Sequence, residues 1–153
     1  MNTSSLADAL DELRLAVQMT GEGSVQAIDA ALAQVTKYGS PQSIGPLLLM
    51  LNDCAAYDEG MFSLIHAAEA FEDSVYVREF LDALPELHVT APRWASIVLV
   101  RVLNSDGTRA DLVRALRDAT PAIKQAARWL CGKVNERSPS FMSKTLPVLA
   151  AAE

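Results

Sequence analysis

Ser40-Pro-Gln-Ser-Ile-Gly-Pro-Leu-Leu-Leu-Met-Leu-Asn-Asp53 followed by Glu59-Gly-Met-Phe-Ser-Leu-Ile-His-Ala-Ala-Glu-Ala-Phe71 decides the fold. Ser40-Pro41 reads as an N-cap followed by a proline at the first helical position, where the missing N–H costs nothing. Ile44, Leu47, Leu48 and Leu51 recur at helical spacing, and Asn52-Asp53 breaks the run as a turn. Gly45 and Pro46 predict an irregular start, or one displaced to Ser43. The second segment, about Asp58 to Phe71, carries Met61, Leu64, Ile65 and Ala68 on one side, with Asp58 and Glu59 at its positive end. Two short amphipathic helices joined by a tight turn are the unit of a helical stack.

The same grammar extends in both directions. Upstream, Ser5 caps a helix carrying Leu6, Leu10, Leu13 and Val17, which ends before Gly21. A second helix after Ser24 carries Val25, Ile28, Leu32 and Val35 and stops at Gly39. Downstream, Ser74 to Leu84 forms a fifth helix that Pro85 is expected to end. Arg93 to Leu103 is apolar almost all round, which marks it as the buried centre. Thr108 is expected to cap a seventh helix, Pro121 opens an eighth, and Ser138-Pro139 begins a ninth that Pro147 should kink or end. The expected fold is all-α: one domain over 1–153, about nine short helices in antiparallel pairs. Pairs return every roughly 35–45 residues, which suits a HEAT-like α-α superhelix or a compact helical stack.

Half of the 153 residues are apolar, enough for a real core, and charged residues are interspersed among them. The start MNTSSLADALDEL lacks a basic region and is interrupted by Asp8, Asp11 and Glu12, unlike a secretory signal. No apolar run approaches the roughly 20 residues of a membrane span. Both features point to a cytoplasmic chain with no membrane partner. Cys54 and Cys131 lack metal-type spacing and read as structural thiols.

The net charge of −6 hides a division. Residues 1–86 carry 14 acids and 3 bases, whereas 87–153 carry 5 acids and 10 bases. From Asp53 to Glu86 there are nine acids against Arg78 alone. Like charges so crowded oppose folding, and two readings stand. They steer a basic partner, or they form a solvated face partly paired with the basic second half.

No catalytic set emerges. His66 and Glu69, at i and i+3, are a single inverted copy of a di-iron element, and no second histidine completes a zinc site. Arg101 is a lone charge in the most apolar helix and calls for an acid, with Glu69 the candidate. Gly21-Glu22-Gly23 lacks the lysine and remaining glycine of a phosphate loop. The basic half, from Arg109 to Lys144, raises nucleic-acid binding, but a pI near 4.9 is far from that footprint. The expectation is therefore no enzyme, no cofactor and no metal.

One ordered set of words remains. It comprises Leu51-Asn52-Asp53, Glu59-x-Met61-Phe62, His66-x-x-Glu69, Tyr76-Val77, Pro92-Arg93-Trp94 and Arg101-x-x-Asn104. Over residues 44–104 this resembles the immunity-protein-30 family of bacterial polymorphic toxin and contact-dependent growth inhibition systems. The resemblance implies a helical protein encoded beside a toxin, binding its C-terminal domain in the cytoplasm of the producing cell. A nuclease toxin with a basic substrate site would suit an acidic inhibitor. On that basis Asp53, Asp58, Glu59, Glu72, Asp73, Glu79 and Asp82 are expected to supply charge to the toxin interface, with Tyr57, Phe62 and Tyr76 as aromatic anchors. His66, Glu69, Trp94 and Arg101 are assigned to architecture. The alternative is a HEAT-like scaffold or nucleic-acid module acting through the basic C-terminal half. The identity of the toxin, the oligomeric state and the packing order of the helices are left open.

Overall fold

A computed structural model describes residues 5–153. Among them are nine α-helices: α1 Leu6–Val17, α2 Ser24–Thr36, α3 Ile44–Leu49, α4 Asp58–Glu69, α5 Asp73–Thr90, α6 Pro92–Leu103, α7 Asp106–Arg117, α8 Pro121–Arg137 and α9 Met142–Ala151. Short 3-10 turns at Pro41–Ser43 and Pro139–Phe141 lead into α3 and α9, and the described residues hold no strand. The irregular start of α3 follows from the sequence: Ser40 Oγ accepts from Gln42 N, and the α-turns begin only at Ile44.

The packing is a two-layer stack. α3, α5, α7 and α9 lie side by side in chain order, and α2, α4, α6 and α8 form the second layer. α1 closes the N-terminal end against α2. Each layer buries its apolar stripe toward the other, which is the logic of a HEAT-like stack. Gly39, at φ +55°, supplies the left-handed residue in the connection between α2 and α3.

Four local expectations are corrected. Pro85 does not end α5, which runs on to Thr90. Leu84 and Leu87 are fully buried on either side of it, and burying them outweighs the hydrogen bond that the proline removes. Of the two outcomes expected for Pro147, a kink or an end, the end does not occur: α9 continues through it to Ala151, with Val148 and Ala151 in the core. Thr108 is not a cap. It is buried in the first turn of α7 and donates its hydroxyl to the Val102 carbonyl at 2.6 Å, tying α7 to the end of α6. The most surrounded helix is α5, packed against α3, α6, α7 and α8, whereas Ile97 and Val100 of α6 remain half-buried. The core includes Trp94, Phe80, Leu64, Ile65, Leu87 and Leu103, all fully buried. Cys131 is buried as expected; Cys54 is exposed, and no disulfide forms.

Candidate interaction surface

The acids from Asp53 to Glu86 fall into three structural groups. The first is spent on architecture. Both carboxylate oxygens of Asp53 accept backbone N–H groups at the start of α6, from Arg93 at 2.9 Å and Trp94 at 3.1 Å. Asp53 therefore caps α6 from forty residues away, because the N–H groups of Arg93 and Trp94 in its first turn have no intrahelical partner. Asp58 pairs with the Arg93 guanidinium at 3.1 Å. Glu69 takes Arg101 in a two-pronged bond at 2.7 and 2.8 Å. That bond holds the guanidinium more firmly protonated than usual, the hydrogen bond to Glu69 outweighing the cost of burial. Arg101, the charge set within the apolar run of α6, thus finds the partner expected for it.

This pair is intermediate in exposure, the side chains being 37% and 26% accessible. A double-mutant cycle of Arg101→Met and Glu69→Gln, read by urea denaturation, is expected to give a coupling of about 1–2 kcal/mol. That lies above an exposed pair and below a fully buried one. Additive single effects would show that the bond contributes nothing.

The second group lies on the outer side of α4. Glu59 and His66 are exposed there, and Tyr57, 41% accessible, precedes the first turn. Phe62 is half-buried, its ring edge-on to Trp94 at 5.1 Å and 6.4 Å from that of His66. Tyr76 is 3% accessible and lies in the core, so it offers no anchor to a partner. Burial pushes its phenol well above the ordinary range, and the nearby Glu69 charge adds to the effect. The spacing reading missed this because α5 is contacted on several sides. Its buried arc is wide enough to take Tyr76 and Phe80 as well as Val77, Leu81 and Leu84.

The third group is a ridge along α5. Glu79, Asp82 and Glu86 stand at i, i+3 and i+7 on the side opposite Val77, Phe80, Leu84 and Leu87. No ion pair engages them among the described residues. Glu79 leans over α3 at Gly45, where a Cβ would sit 3.7 Å from its Oε2. Glu72 and Asp73 are exposed at the start of the same helix, and Asp73 reaches toward the first turn of α7 at Gly107. α4 and α5 belong to different layers, so their outer acids face different sides of the stack. The ten candidate residues between 53 and 86 do not make one continuous face.

The basic second half leaves this ridge untouched. Arg109 pairs with Asp106, Arg114 with Asp111 and Lys133 with Glu136, each within its own helix. Only Arg93 and Arg101 cross to the acidic half among the described ion pairs. Two exposed residues were absent from the expected interface. Glu86 extends the ridge by one turn. Trp129 is 42% exposed on α8, beside the stripe of Ile123, Ala127, Leu130 and Val134. An aromatic residue one step off an apolar stripe, among basic neighbours, was a signal available in the sequence.

Among the described residues no group of three or more His, Cys, Asp or Glu side chains could hold a metal ion. No helix among the described residues is long and apolar enough to cross a membrane. No curated protein and no solved structure matches the chain. A family model described as Immunity protein 30 matches residues 16–112, more than half of the 153 residues.

Proposed function

From the premise that the chain belongs to the Immunity protein 30 family, we propose that it binds and neutralises the toxin domain encoded beside it, in the cytoplasm of the cell that makes both. The observation that supports a basic partner is the unpaired α5 ridge of Glu79, Asp82 and Glu86 on a rigid, well-packed helix. Three carboxylates within two turns repel one another and weaken the fold, a cost that an approaching cationic surface relieves. A nuclease domain fits this chemistry, because the groove that holds its phosphate-bearing substrate presents cations. Glu72 and Asp73 continue the negative surface toward the α4–α5 turn. The proposed interface leaves out Asp53 and Asp58, whose carboxylates are engaged by α6, and Glu69 keeps the architectural role expected of it.

Complementary charge acts chiefly on the association rate. The triple variant Glu79→Lys, Asp82→Lys, Glu86→Lys is expected to slow association with the toxin domain roughly 10- to 100-fold at low salt. The difference should shrink at high salt, where exposed charges are screened. An unchanged low-salt rate removes the ridge from the interface. Absence of a complex with the unmodified chain removes the toxin reading itself.

A further inference from the structure

The surface at the α5–α6 turn and the C-terminal half of α8 has the opposite character to the ridge. Trp129 and Val89 are both exposed there, at 42% and 71%. The indole is held rather than loose. The His88 ring meets it edge-on at 5.4 Å, and the Lys133 ammonium lies 5.4 Å from its centroid. His88 is itself fixed, donating from Nδ1 to the Leu84 carbonyl at 2.8 Å. Beside Trp129 opens a cleft of about 300 Å³, lined by Pro92, Arg93, Ser96, Lys133 and Arg137.

The cleft is lined by three cations, Arg93, Lys133 and Arg137, against two acids, Asp53 and Glu136, which leaves one net positive charge. Asp53 lines it, but both oxygens are turned to the α6 backbone. Glu136 lies 3.7 Å from Lys133 and offsets that one cation. Arg93 is shared with Asp58, and Arg137 makes no ion pair among the described residues. A large aromatic face, already ordered and flanked by cations, loses little side-chain freedom when covered. Tryptophan and arginine are also the residue types that most often carry binding energy at protein interfaces.

We propose that Trp129 and this cleft seat an acidic segment of the toxin domain, with an aliphatic side chain against the indole and a neighbouring carboxylate on Arg137. This rests on the immunity reading and deepens it. The α5 ridge governs how fast the partner arrives, and the Trp129 cleft governs how slowly it leaves. A protein segment fits better than nucleic acid. The cations are few, Glu136 and Asp53 stand among them, and the whole chain carries −6, which repels a polyphosphate backbone.

The test measures binding of the full chain to the purified toxin domain from the adjacent reading frame, with Trp129→Ala, Arg137→Glu and Arg137→Lys as variants. Trp129 is exposed, so its replacement is expected to leave the melting curve in place, and circular dichroism checks this. The proposal expects dissociation at least about tenfold faster for Trp129→Ala and Arg137→Glu, with substantial recovery in Arg137→Lys. Wild-type rates in both variants, alongside a tight wild-type complex, overturn the cleft and leave the immunity reading intact. If the wild-type chain forms no complex, the immunity reading falls, and two probes still judge the cleft. An end-blocked peptide of alternating aspartate and leucine should shift the indole emission in wild type but not in Trp129→Phe. A single-stranded oligonucleotide binding in its place, or neither probe binding, overturns the proposal.

Discussion

Trp94→Ala is expected to destabilise the fold by about 3–5 kcal/mol, lowering the melting temperature by roughly 10 °C. Trp94 is fully buried, its ring lies edge-on to Phe62 at 5.1 Å, and its backbone N–H is one of the two that Asp53 caps. Removing the indole opens a cavity where α4, the α3–α4 loop and α6 converge. Trp129→Ala removes the same side chain from an exposed position and is expected to cost under about 1 kcal/mol. Urea denaturation of the two variants, followed by circular dichroism, separates the roles. Similar losses for both would contradict the division into one architectural and one surface tryptophan.

Stability is expected to fall steeply above about pH 9. Burial pushes the Cys131 thiol up to about 12, from an ordinary 9.0. The Tyr76 phenol is raised well above its ordinary 10.0 by burial first and the Glu69 charge second. In each case the folded protein keeps a proton that the unfolded chain loses. The stabilisation is therefore complete below the unfolded value and disappears as pH rises through the interval between the two. The decline should be about 1.4 kcal/mol per pH unit from pH 9, from Cys131 alone, and about twice that above pH 10. Measured by urea denaturation between pH 8 and 11, Cys131→Ala should remove the first limb and Tyr76→Phe the second. A midpoint independent of pH across that range would show that neither group is protected by the fold.

Much of this architecture was legible from spacing and punctuation. Ser5, Gly39, Ser40-Pro41 and Pro121 sit at helix boundaries for local steric and hydrogen-bonding reasons, which a sequence states directly. Arg101 announced an acid partner because a lone charge in an apolar helix demands one, and Glu69 supplies it. The misreadings are those where distant packing decides. Pro85 and Pro147 are carried through their helices by buried neighbours, and Tyr76 is enclosed because α5 is the most surrounded helix of the stack.

Asp53 shows why the interface was harder to read than the fold. Counted by charge, it belonged with the acids; placed in space, it caps a helix that begins forty residues later. The words that carry the family resemblance behave alike. Asp53 with Pro92-Arg93-Trp94 and Glu69 with Arg101 lock α6 to the α3–α4 pair, and Asn104 accepts from Lys144 of α9 at 2.9 Å. These residues define the scaffold. A partner is met by what the scaffold leaves outward: the α5 carboxylates on one side, Trp129 with Arg137 elsewhere.

The central claim, direct neutralisation of a partner, is tested most simply by titration. The toxin domain encoded beside this chain is purified, its activity is assayed, and the full-length protein is added in increments. Activity should fall linearly and vanish at one equivalent, as for a tight one-to-one complex. Toxin activity persisting at a large excess of folded protein would contradict it.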